Sequence, residues 1–147
     1  MEKLDWIERA GIENLKGRVE NADLIHREAN TLLAILLSGG GAALYFAAKG
    51  TDLAAVAFWV SLWLFATALI VTWKCLMFSD YPAVWNSPNN LGNNDFELDL
   101  LRRYELDNIQ ARIEQATALN YKKSEWLNYC ILGSCATPLI ALIAWVV

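Results

Sequence analysis

The sequence predicts an all-α integral membrane protein: three transmembrane helices with cytosolic helical extensions, N-terminus in and C-terminus out. Composition is the first reason. Of 147 residues, 56% are hydrophobic and only 19% charged, against about half and about a quarter in a soluble domain. The second reason is that the apolar residues are concentrated. Residues 31–48, 53–73 and 127–147 are charge-free runs of 18, 21 and 21 residues, and a bilayer core needs about 20 apolar residues of helix. The third is the placement of positive charge. Lys3, Arg9, Lys16, Arg18 and Arg27 precede the first run; Lys74, Arg102, Arg103, Arg112, Lys122 and Lys123 lie between the second and third; only Lys49 lies in the short link 49–52. The positive-inside rule then orients three alternating crossings, and Trp73, Trp126 and Trp145 fall near run ends, where interface aromatics belong.

Taken in order, residues 1–28 read as a cytosolic amphipathic helix. Leu4, Ile7, Gly11, Leu15, Val19, Ala22, His26 and Ala29 recur at spacings of three and four, with Glu8, Glu13 and Glu20 off the stripe. Gly11 and Gly17 weaken its first half. The acidic and basic residues mixed through this segment are unlike the short basic start of a signal peptide, so the first apolar helix is expected to act as its own targeting signal. Asp23 and His26 share a helix face near the membrane, as a pH-sensitive pair or as an acid beside a packing histidine.

Residues 29–78 form a transmembrane hairpin, with spans at about 31–48 and 53–73. The first span contains Gly39, Gly40 and Gly41, a run that breaks helices in water. In a bilayer no water satisfies an opened backbone, so the helix is expected to persist. Gly39 with Ala43, and Ala43 with Ala47, then make a small-residue face for the hairpin partner or a neighbouring subunit. Three glycines exceed what one face needs, which marks a flexible point and a candidate gate.

Residues 79–126 begin as a loop rich in asparagine with Pro82, Pro88 and Gly92, and Asn94 or Asp95 is placed to cap the next helix. Leu98, Leu101, Leu106, Ile109, Ile113 and Ala116 follow at mostly helical spacing. One helix is expected from about Asp95 through the third span, 127–147, roughly 75 Å long, kinked or loosened by Pro138. The two cytosolic helices are expected to form an antiparallel stalk whose narrow apolar stripes favour a homo-oligomer.

The chain offers little for catalysis. It has one histidine, no phosphate-loop pattern and no metal-ligand spacing. Its three cysteines read as small hydrophobes, and an acidic net charge of -4 gives nucleic acid no footprint. The expectation is a protein that is not an enzyme and needs no cofactor or metal. The runs also lack the ionisable groups of proton relays and voltage sensors. Asn30, Asn128, Ser38, Ser61, Thr67, Ser134 and Thr137 remain, as helix-to-helix bonds or the lining of a narrow wet path. Three helices cannot surround an aqueous hole, so conduction requires an oligomer.

The junction ADLIHREANTLL (22–33), with Glu28-Ala29 beside Arg27 leading into an apolar helix, resembles that of small membrane effectors of bacterial anti-phage defence. The closest likeness is to transmembrane effectors of Pycsar-type pyrimidine cyclic nucleotide signalling, and a looser one to the SLATT group. The stretch 104–132, with Lys122, Lys123 and Asn128 before the last span, is similar in style. The resemblance implies a multi-pass protein of the cell inner membrane that assembles or opens on infection and depolarises that membrane. It also implies a trigger, a cyclic nucleotide or a sensor protein, for which Arg102, Arg103 and Asn90 of the adjoining loop are the candidate contacts. A holin-like lysis protein and a non-conducting accessory subunit share the same layout.

Overall fold

A computed structural model describes residues 3–50, 52–77, 79–86 and 97–146, and every regular element among them is helical. Helix α1 spans Lys3–Ala48 and α2 spans Ala54–Val71, followed directly by a π-helical turn at Thr72–Leu76. Helix α3 spans Leu98–Cys135 and α4 spans Thr137–Val146. Two helices are long and apolar enough to cross a membrane, Leu4–Ala48 and Ala54–Leu76; the bent pair α3 and α4 makes a third if taken as one span. Asn90, Pro88, Gly92, Asn94 and Asp95 lie outside the described residues.

The chain divides into two compact units. The first contains the described residues of Met1–Asp23 and Ser79–Tyr121. Here the amphipathic stripe of α1 holds at Leu15 and Ala22, which are buried, as are Ile109 and Ala116 of α3, whereas Ile7, assigned to the same stripe, is exposed. The two helices are parallel, which corrects the expected antiparallel stalk. Asp5 and Glu8 meet Arg102, Gly11 approaches Ile109, and Arg18 meets Asn120, so residue numbers rise together on both helices. Gly11, which weakens the helix when viewed locally, is explained by this approach. A Cβ there would lie 3.0 Å from Ile109 Cγ2, closer than packed side chains sit.

The second unit contains the described residues of Leu24–Phe78 and Lys122–Val147. Its core is Ile25, Ala29 and Leu36 from α1, Ala68, Val71 and Cys75 from α2 and its π turn, and Leu127 and Cys130 from α3. On α1 the buried positions Leu15, Ala22, Ala29 and Leu36 recur every seven residues, the repeat of a left-handed supercoiled seam. The α1–α2 link closes at Gly50, whose φ of 66° is the left-handed geometry that ends helices at little cost only in glycine. Its N–H bonds to the Ala47 carbonyl at 3.3 Å.

Instead of one uninterrupted helix from Asp95 to the C-terminus, the chain breaks at Ala136, with a 43° bend between α3 and α4. The cause is Pro138, the second residue of α4. Proline suits a first helical turn, but deeper inside a helix its ring collides with the carbonyl four residues back and removes a donor. That carbonyl belongs to Ser134, and the Thr137 hydroxyl donates to it instead, at 2.7 Å.

Candidate functional site

In the second unit the triple glycine is α-helical throughout and its three members differ in surroundings. Gly40 is buried and Gly39 half-buried, whereas Gly41 is exposed. A Cβ on Gly40 would meet the Phe65 ring at 3.3 Å, and one on Gly39 would meet Leu64 Cδ1 at 3.3 Å; Gly41 has open space around it. The small-residue face therefore seats the hairpin partner α2 of the same chain, with Ala43 half-buried beyond it. The buried Ser61 hydroxyl donates to the Gly40 carbonyl at 2.9 Å, which ties the two helices beside this glycine. Where hydrocarbon supplies no competing water, close backbone packing and such bonds hold helices together.

Two further hydroxyls in the apolar runs turn back on their own helices. Thr67 donates to the Trp63 carbonyl at 2.9 Å and Ser134 to that of Cys130 at 2.7 Å. This local bonding satisfies the group without needing a partner helix or a wet path. Ser38, Asn30 and Asn128 are exposed. At the α3–α4 break, the Trp63 indole N–H donates to the Gly133 carbonyl at 3.1 Å, a second bond beside that from the Ala136 N–H at 3.1 Å. Trp63 was not singled out from the sequence. The available signal was its place in the middle of an apolar run: a buried indole N–H needs a partner. Nearby, Trp59, Ile140, Ile143 and Ala144 line an open apolar groove of ≈ 290 Å³.

In the first unit Arg102 is engaged. Its guanidinium donates to Asp5 and to Glu8, the latter at 3.1 Å, and these bonds raise its pKa above the ordinary value. Arg112 faces Glu105 at 3.6 Å, and Glu105 also accepts from Asn86 at 2.9 Å. Arg103 is exposed on the adjoining face of α3. Asp5, Glu8, Leu98, Leu101, Arg102 and Glu105 line an open groove of ≈ 420 Å³, rimmed by more carboxylates than bases. An anionic ligand at Arg102 has to displace two carboxylates.

Asp23 is exposed and His26 half-buried, one in each unit. The charge of Asp23 acts on Tyr81, whose phenol is pushed above its ordinary pKa, first by burial and then by Asp23. Tyr81 donates to Asn120 Oδ1 at 2.9 Å while Asn120 Nδ2 donates to the Arg18 carbonyl at 2.7 Å. Neither residue stood out in the sequence, because one polar residue on an otherwise charged helix carries no signal until its face is known to be buried. In the second unit, burial lowers the pKa of the Lys123 ammonium.

Together these features define an all-helical chain with two helices apolar enough to cross a membrane and a third, bent candidate. No family model, curated protein or solved structure matches it.

Proposed function

We propose that the chain is a multi-pass protein of the bacterial inner membrane that acts, as an oligomer, as a membrane-permeabilising effector of anti-phage defence. The observation that carries the membrane part is the outward face of the apolar helices. Only 11% of the candidate span in α1 and 22% of that in α2 is buried, with Ile35, Leu44, Phe46, Phe58, Trp59, Leu62 and Leu69 exposed. An apolar surface of this extent needs lipid or further copies around it. Permeation in this reading passes between subunits, because the Ser61, Thr67, Ser134 and Thr137 hydroxyls of one chain are taken up by its own backbone.

Control of opening would reside in the first unit. There the pairing of Arg102 with Asp5 and Glu8 links α3 to α1, and a phosphate-bearing trigger such as a cyclic nucleotide competes for the same guanidinium. Exposed ion pairs of this kind contribute little to stability, so a modest ligand affinity suffices to exchange them. Inducible expression with a potential-sensitive dye tests the proposal. The expected result is depolarisation on triggering; unchanged potential and growth under every cyclic nucleotide tried would sink it, and lysis that depends on a co-expressed endolysin would point to a holin instead.

A further inference from the structure

We propose that Lys74, clamped between the rings of Trp73 and Trp126, is a binding site for the headgroup phosphate of an anionic phospholipid. The site lies wholly within the second unit. It rests on the membrane-spanning reading of α2 but not on pore formation.

Lys74 Nζ lies 4.2 Å from the ring centroid of Trp73 and 5.2 Å from that of Trp126. Lys49 and Lys16, in contrast, each stand over one ring, Tyr45 at 4.6 Å and Trp85 at 5.3 Å. The π-helical turn Thr72–Leu76 carries Lys74 at the end of the apolar stretch Ala54–Leu76, the depth at which a spanning helix meets headgroups. The rings hold the ammonium by their negative faces and fix its position without neutralising it. Among the described residues no carboxylate lies within ion-pair distance of Lys74; Glu125, in the same unit, instead accepts the Tyr129 hydroxyl at 3.2 Å. Lys122, exposed one helical turn before Trp126 on α3, adds a second positive charge on that helix face.

A fixed ammonium with open N–H donors at an apolar boundary is completed by an anion of matching depth. A phosphodiester headgroup with net negative charge provides one, and its acyl chains lie along the exposed apolar face below. A zwitterionic headgroup brings its own cation to compete with the lysine. A basic residue near a membrane surface strengthens anionic-lipid binding by about fivefold.

The test is native mass spectrometry of the full chain in detergent with phosphatidylglycerol or phosphatidylcholine, with and without millimolar inorganic phosphate. Wild type is expected to bind phosphatidylglycerol at least about fivefold more tightly than phosphatidylcholine. Lys74→Gln and Trp126→Leu should bring the ratio near unity, while Lys74→Arg and Lys49→Gln keep it. Equal binding of the two lipids by wild type overturns the proposal, as does a retained preference in both Lys74→Gln and Trp126→Leu. Phosphate that displaces phosphatidylglycerol and stabilises the chain equally assigns the site to free phosphate and overturns the lipid assignment. Trp126→Leu opens the clamp without removing the charge, so the test survives a Lys74→Gln that fails to fold by circular dichroism. Dye release from liposomes, measured on the same preparations, separates this from the effector reading: a lipid preference without release leaves the site standing and removes the pore.

Discussion

At Gly40 the missing side chain makes room for the Phe65 ring of α2. Gly40→Leu places a branched side chain where a Cβ alone already lies 3.3 Å from Phe65, so α1 and α2 must separate. The expected outcome is normal membrane insertion with a lower melting temperature in detergent, whereas Gly41→Leu, facing open space, stays near wild type. Equal behaviour of the two variants would mean that the glycines are interchangeable. The sequence showed that the run is helical and small-faced, but not which glycine faces α2, because three in succession span most of the circumference.

Tyr81 supplies the pH test at the same scale. Its folded pKa is raised, so the folded state holds the proton more tightly than the unfolded one. This stabilisation is complete below the ordinary phenol pKa of 10.0 and is lost as pH rises through the folded value. Tyr81→Phe should cost about 1 kcal/mol near neutrality by stripping Asn120 of a donor. Its melting temperature should then fall less steeply than that of wild type between pH 9 and 11; parallel curves would show that folding leaves the Tyr81 pKa unchanged.

At the scale of elements, one interruption and one seam set the arrangement. Pro138 was legible as a kink, but the position of the break was not, because it depends on which groups replace the lost bonds. Thr137 serves Ser134 from within the chain and Trp63 serves Gly133 from another helix. Pro138→Ala restores the N–H, and the expected result is a longer distance between spin labels at 128 and 145 as α3 and α4 straighten; an unchanged distance would assign the bend to Trp63. The seam in the first unit is tested by Leu15→Ala. This residue is fully buried, so truncation should cost roughly 2–5 kcal/mol and expose the α1–α3 contact to protease. Three alternating crossings, as the sequence predicts, would likewise make the first and third spans co-directional. Stripe periodicity alone is silent on direction, since an apolar face looks the same read either way.

For the whole molecule, α1 and α3 each contribute residues to both units. Arg102→Gln removes the links to Asp5 and Glu8 with little change in stability. Under the proposed function it should depolarise cells without a trigger; a silent variant that still responds to the trigger would place control elsewhere. The acidic surroundings of Arg102 were not legible in advance, because Asp5 and Arg102 are 97 positions apart in the chain.

The sequence by itself determined what depends on composition and local periodicity. These are the helical class, the apolar runs that can cross a membrane, the amphipathic face of α1 and the disturbance at Pro138, since burial cost and backbone bonding act within one segment. Tertiary structure alone decided the partners: Ser61 on Gly40, Trp63 on Gly133, Asn120 between Tyr81 and Arg18, Arg102 on Asp5 and Glu8, and Lys74 between two indoles. Each needs a distant segment to arrive at a given rotation and register. A polar or small residue acquires its role only from what stands opposite it.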